Sequence, residues 1–477
     1  MVFEVTKISE GVVKPAEPTP NQTLRLAWVD RYPTHRGLVE SIHIYRSATD
    51  PAKVIREALA KALVFFYPLA GHIIEPVPGD PSIECSAKGV YFVEANANCS
   101  LEDVKYLHRP LLIPKEELVP YPGPADWEVE PHNTSIMMQV TTFTCGGFVL
   151  GLRTNHAVAD GMGAAQFIQA VGDMARGLPE PLVLPVWDRE NFPDRKIKPS
   201  PLPELPVLTI EYVILDFSMD YIKKLKSRYM DFSGKICSTF DILTAKLWQC
   251  RTRALDLKHE AEVNLGFFAS VRHLLKLNKG YYGNSIFPTT VISTGATFLT
   301  RDVEDLRIPL EGKLFLQPEK LFKHSCRHLG SRYSSGPRLG CLALTDWAFR
   351  AISYQTASSM KILNSTLVEV VNLIQEAKER MTEEFLKFAR EEIDTDPFQM
   401  TFNYESVSVS DWSKLGFVDA DYCYGKPMLC SPLVNYEFSA SVIILKPPLP
   451  LEGARLLASC VMKEHFMEFV KGLNNMD

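Results

Sequence analysis

Between Leu178 and Leu208 the chain stops following any regular hydrophobic period, and that window holds eight of its 33 prolines. Proline locks φ and has no amide hydrogen, so neither a long helix nor a central strand runs through such a stretch. A chain of 477 residues also exceeds one ordinary hydrophobic core. The break therefore divides the chain into a first domain, residues 1–177, a long surface connection, 178–208, and a second domain, 209–477.

Both halves mix strand and helix patterns, which predicts an α/β (α+β) fold. In the first half, Phe3 to Ser9 alternates as a half-buried strand, and Ile42 to Tyr45 reads as another. Asp50-Pro51 marks a helix start, with the aspartate accepting from free amides and the proline at the first helical position. Val54, Ala58, Leu59, Ala62, Leu63 and Phe66 form its apolar face, and Pro68 ends it. Ile136 to Phe143 and Phe148 to Asn155 read as a hairpin around Thr144-Cys145-Gly146-Gly147, followed by a helix from Gly161 to Ala175. In the second half, Ile210 to Phe217 and Val263 to Ser270 read as strands. Ser238 to Leu255 reads as a helix capped by Ser238 with Asp241 three residues on. Ser365 to Glu392 is a long amphipathic helix, Val407, Val409 and the stretch Tyr436 to Leu445 are strands, and Leu456 to Leu473 closes the chain as a helix.

Composition narrows the function. The net charge of -6 leaves no electrostatic footprint for nucleic acid or an anionic membrane. No apolar run approaches about 18 residues, and the N-terminus lacks the apolar core of a signal peptide, so the expectation is a cytoplasmic protein without a membrane span. The ten cysteines are scattered without paired metal spacing, which predicts reduced thiols and no metal site. His324-x-Cys326-x-His328 lacks both finger spacing and a second ligand pair. Cys145, Cys237 and Cys250 are conceivable acyl carriers, but burial as small apolar residues is the expectation for them.

Of the eleven histidines only His156 is followed four residues later by an aspartate, Asp160. The residues alone leave two readings open: a core histidine beside a helix cap, or a general base. His156 stands at a strand exit, where side chains converge on a cleft, and Gly161 permits close backbone approach. A neutral imidazole is also the side chain suited to taking a proton near neutral pH.

The stretch His156-Ala157-Val158-Ala159-Asp160-Gly161 resembles the HxxxDG signature of the plant BAHD acyltransferases, which use acyl-CoA donors. Tyr67-Pro68-Leu69-Ala70-Gly71 resembles that family's YPxAGR segment, and Thr142 to Phe148 its lead-in to the catalytic strand. Arg251 to Leu255 and Lys279-Gly280-Tyr281-Tyr282-Gly283-Asn284 resemble segments of its second half. Asp421-Tyr422-Cys423-Tyr424-Gly425-Lys426-Pro427 stands where the family has DFGWGKP. The segments occur in the family's order along most of the chain, in the flavour of the branch with benzyl-alcohol benzoyltransferases and taxane acyltransferases.

The resemblance implies two chloramphenicol-acetyltransferase-like domains with a channel between them, and a monomer. It implies acyl-CoA as co-substrate, no permanently bound cofactor, and a small-molecule alcohol or amine acceptor. His156 would be the base. Asp160 would be a structural brace paired with an arginine, for which Arg272 is the candidate, and Asp421 would hold a structural loop on the CoA side. Arg272 and Lys235 are also candidate CoA-phosphate ligands. A condensation-type domain of peptide synthesis is a weaker match, because Asn155 replaces its first histidine and no carrier domain follows. A catalytically impaired paralogue that binds a ligand or partner is the alternative from another class.

Three positions depart from the family pattern. His72 replaces an arginine, and Cys423 replaces a glycine, which would be strained at positive φ. Residues from about 294 to 355, with His324, Cys326, His328, Arg332 and Arg338, intrude where the family has a short connection. Family-like sequence resumes near Thr356, and two readings of the segment stay open: an in-frame retained intron ending between Gln355 and Thr356, or a real insertion.

Overall fold

A computed structural model describes residues 2–123, 129–193, 195, 205–258, 261–291, 356–393, 396–398, 403–433 and 439–474. His324, Cys326, His328, Arg332 and Arg338 lie outside these residues. The molecule is built on two mixed sheets. The first has strands in the order β1 (Val5–Val13), β6 (Val90–Ala97), β7 (Ile136–Thr142), β8 (Phe148–Asn155), β3 (Leu38–Tyr45) and β14 (Leu429–Pro432). The second runs β11 (Ile286–Thr290), β10 (Glu262–Ser270), β13 (Ser406–Asp411), β15 (Ser441–Leu445), β16 (Gly453–Met462) and β9 (Ile210–Ser218), with β12 (Thr356–Ser358) also on β10. A small sheet joins β2 (Thr23–Arg25), β5 (Ser82–Glu84) and β4 (His72–Ile74).

Helices α1 (Pro51–Phe65) and α2 (Gly161–Ala175) bury Leu59, Leu63, Phe167 and Ile168 with the inward side chains of the first sheet. On the second sheet lie α3 (Met219–Ser233), α4 (Thr239–Ala254), α5 (Ser359–Asn364), α6 (Leu367–Ala389) and α7 (Lys463–Asn474). Helix α4 is buried on nearly every side and starts with the expected capping box of Ser238 and Asp241. Its Arg251 is fully buried and donates to the carbonyls of Cys460, Glu405 and Tyr404, tying α4 to the sheet. A second capping box, Thr366 with Glu369, starts α6. Among the described residues no helix is long and apolar enough to cross a membrane.

Several elements differ from expectation. The closing helix is only α7; Leu456 to Met462 belong to β16, a strand flanked by β15 and β9 and buried on both faces. Burial on both faces removes the period of two and leaves an apolar run indistinguishable from a helix by pattern. Asp50 adopts a left-handed conformation (φ 53°) and makes no side-chain cap bond, so Pro51 alone marks that start. The connection is not wholly on the surface: Val186 bridges to Tyr281, and Arg189 is buried. Nor does the second half stay apart, because β14 pairs with β3 and returns the chain to the first sheet.

Candidate active site

The hairpin of β7 and β8 delivers Asn155 to the sheet end, and Asn155 folds the next turn. Its side chain accepts from the Ala157 amide (3.1 Å) and its carbonyl from the Val158 amide (3.1 Å). The His156 amide donates to the Gly37 carbonyl at 3.0 Å. The chain then enters α2 with Asp160 as N-cap, accepting from the Gly163 amide at 3.0 Å. The demanding glycine is Gly163: a Cβ there would sit 1.8 Å from the Tyr282 carbonyl oxygen. At Gly161 it would meet only the Leu415 side chain.

His156 faces a cavity of about 220 Å³ whose wall comes from both sheets. Val39, Ser41 and Thr154 line it from the first sheet, Phe268, Ser270 and Ile286 from the second, and Trp412, Leu415 and Phe417 from the segment that crosses back. His156 is 6% exposed. Burial drives its pKa below the ordinary value, against opposing pulls from Asp160 and then Asp30. The imidazole is thus held neutral, the form a base requires. His35, on the 3₁₀ turn Pro33–Arg36, stacks on this ring with centroids 4.9 Å apart, and burial lowers its own pKa to about 3.

Asp160 and Arg272 form a two-pronged ion pair, Nη1 to Oδ2 and Nη2 to Oδ1, each at 2.8 Å. Ser285 adds its amide (3.2 Å) and hydroxyl (3.3 Å) to Oδ2. Burial alone would raise the Asp160 pKa, but the Arg272 charge and hydrogen bonds, with the Gly163 amide, outweigh it and the net shift is downward. Arg272 spends its remaining reach on the Gly283 carbonyl (3.1 Å). The guanidinium, which also lines the cavity, is engaged by Asp160 through both Nη atoms. Lys235 sits exposed in the turn between α3 and α4 and does not line the cavity.

Asp421 closes a turn by accepting from the Gly425 amide at 2.9 Å, while its carbonyl accepts from Arg176 at 2.9 Å. This loop lies on α2, where a Cβ on Gly172 would meet the Asp421 carbonyl oxygen at 2.8 Å. Cys423 does occupy positive φ, 73°. Cys237 is pushed up to about 11 by burial and Cys250 is raised for the same reason, which makes each a poor thiolate nucleophile. The Cys145 sulfur accepts from the Leu101 amide at 3.5 Å in the hairpin turn, outside the cavity lining. No group of three or more His, Cys, Asp or Glu among the described residues could hold a metal ion. Sequence reasoning missed Asp30, Arg189 and His35, and gave Asn284 no role. They are far from His156 along the chain and no local pattern marks them.

The two sheets thus enclose a buried histidine in the wall of a cavity, with its neighbouring aspartate locked to an arginine. The model of the Transferase family matches residues 3–307 and 349–474. Acyl transferase 9 of Oryza sativa subsp. japonica is 59% identical over 99% of this chain and 97% of its own. The myricetin 3-O-glucosyl 1,2-rhamnoside 6'-O-caffeoyltransferase AT2 of Crocosmia x crocosmiiflora is 36% identical over the whole of both chains. The solved structure of F. graminearum TRI101 with coenzyme A and T-2 mycotoxin superposes with a TM-score of 0.68 at 14% identity, covering 94% of this chain and 98% of that one. The chain belongs to the Transferase family, the BAHD acyl-CoA-dependent acyltransferases.

Proposed function

We propose that this protein moves an aromatic acyl group, of the benzoyl or hydroxycinnamoyl kind, from acyl-CoA to a hydroxyl of a small plant metabolite, with an amine as the other possible acceptor. His156 takes the acceptor proton. The freed oxygen attacks the thioester carbonyl, and the tetrahedral intermediate collapses by breaking the C–S bond. The departing CoA thiolate recovers the proton from the imidazolium, so ester and free CoA leave with His156 neutral again. Fixing both substrates against one base removes much of the entropic cost of their encounter. Asp160 braces the base through Arg272, and Asp421 shapes the loop on α2. The apolar and aromatic wall of Phe268, Trp412, Leu415 and Phe417 suits a flat aryl group. The caffeoyl transfer in the name of the Crocosmia relative supports that choice. Both sheets of one chain complete the cavity, which supports a monomer, and cytoplasm is the compartment proposed.

The observation that carries the reading is the neutral His156 ring in the wall of the cavity. The test is release of free thiol from a panel of aryl and alkyl CoA thioesters with alcohols and amines, for the parent and His156→Ala. Turnover in the parent and its loss in the variant are expected. Undiminished turnover in His156→Ala refutes His156 as base, and no thiol release by well-folded parent with any donor favours a binding protein.

A further inference from the structure

Asp30 is fully buried in the turn after β2, far in sequence from every motif of the site. Its Oδ2 accepts from the Ala27 amide (3.0 Å) and from Arg189 Nε (2.8 Å). Its Oδ1 accepts from the Asn284 amide (3.3 Å) and side-chain Nδ2 (2.8 Å). Both partners then reach the backbone of the base. Asn284 Nδ2 also donates to the His156 carbonyl at 2.6 Å, and Arg189 Nη2 donates to the Val158 carbonyl. One carboxylate thus gathers three distant segments and places two donors on the carbonyls of His156 and Val158, the residues on either side of Ala157. A buried ion pair is weak evidence for stability, because desolvating two charges offsets their attraction. Placement of both far ends on this one turn is what a device for holding His156 requires.

We propose that Asp30 is a positioning residue for acyl transfer: through Arg189 and Asn284 it fixes the backbone that carries His156, and its charge supports the imidazolium formed in the reaction. The mechanistic half of this rests on His156 being the base. The ionisable groups around the ring are Asp160 paired with Arg272, Asp30 paired with Arg189, and the neutral His35 stacked on its face. Each carboxylate is balanced by its own arginine. Neutralising Asp30 alone therefore leaves the Arg189 guanidinium unbalanced close to His156, which opposes protonation of the ring.

The test is Asp30→Asn in the full-length chain, read in two ways. NMR titration of the His156 ring needs no substrate. The expected result is titration at lower pH than in the parent. Adding Arg189→Gln, which removes the unbalanced cation, moves the titration back toward the parent. With caffeoyl-CoA and the acceptors of the panel above, kcat per folded molecule falls on the order of 100-fold while KM for the thioester holds. If Asp30→Asn folds poorly, Arg189→Lys keeps the charge but cannot serve both Asp30 and the Val158 carbonyl; it lowers kcat with the titration unmoved. The proposal is overturned if both variants match the parent per folded molecule in titration and kcat. It is equally overturned if activity falls only in proportion to folded protein by circular dichroism. A His156→Ala variant that stays active would sink the base assignment, yet the titration would still report the Asp30 field on the ring.

Discussion

The two strands at the rim of the intruding segment occupy consecutive positions along one edge of β10. β11 and β12 lie on the same edge of β10, both antiparallel to it. Thr290 stands opposite Gly266, the Val291 amide donates to the Leu265 carbonyl (3.2 Å), and Thr356, Ala357 and Ser358 stand opposite Asn264, Val263 and Glu262. The partner positions on β10 fall one by one while the numbering jumps from 291 to 356, so a direct Val291–Thr356 peptide continues the strand in register. That junction coincides with the Gln355/Thr356 boundary read from sequence, and the family model leaves 308–348 unmatched. We predict that excising 292–355 yields a folded, active chain. Tying the ends of a loop of roughly sixty residues costs ~4 kcal/mol when the loop adds no contacts of its own, and excision returns that amount. In equilibrium urea unfolding it corresponds to a rise of the midpoint by roughly 1 M. Thiol release per folded molecule should equal or exceed that of the full chain. A shortened chain that is unfolded, less stable or inactive would show the segment to be integral. If every cDNA from the source tissue carries the segment, the retained-intron explanation falls, although the structural junction stands.

Asp160→Ala should cost nearly as much turnover as losing the base. It leaves the half-buried Arg272 guanidinium without its two-pronged partner and strips the cap of α2, worth about 1 kcal/mol; near-normal kcat in the folded variant refutes the brace. Acid should destabilise the fold through buried histidines. Burial lowers His35 and His43 to about 3, whereas the unfolded value is about 6.5. Their stabilising contribution is complete above the unfolded value and is lost as pH falls from there toward the folded one, at about 1.4 kcal/mol per pH unit for each. His43→Gln should remove one such share of the slope in urea unfolding between pH 4 and 6, and an unchanged slope counts against His43. Cys423→Gly should raise stability by about 1 kcal/mol by relieving the left-handed backbone; a lower unfolding midpoint would show that the Cys423 thiol bond to the Ala175 carbonyl (3.2 Å) matters more.

Elements with one buried face were legible. Helix α2 matches its reading from Gly161 to Ala175 because its apolar residues recur on one side, and the Ser238–Asp241 box announced α4. Helix α3 was overlooked because only Tyr221, Ile222, Leu225 and Tyr229 are buried in a stretch rich in lysine. Strand β16 was misread because burial on both faces erases periodicity. At the site, His156 and Asp160 stood out by spacing, and Arg272 came through family resemblance. Asp30, Arg189 and Asn284 meet only when the two sheets and the connection come together, and no window of sequence encodes that meeting.

The division of labour in the site follows from how Asp160 is used. Arg272 Nη1 and Nη2, the Gly163 amide and the Ser285 amide and hydroxyl all donate to its two oxygens. A carboxylate so supplied is held below its ordinary pKa, and protonating it would break at least one of these bonds. It is therefore a poor place to park the acceptor proton, and in the proposed reaction that proton stays on His156 until the thiolate reclaims it. The imidazolium must then be tolerated in a buried cavity for the life of the intermediate. Two carboxylates nearby, Asp160 and Asp30, oppose the burial that disfavours it. Each is neutralised by its own arginine, so the resting ring stays neutral. The two carboxylates offset the burial cost of the charge only in part, which is what a base needs if it must release the proton again in the same turnover.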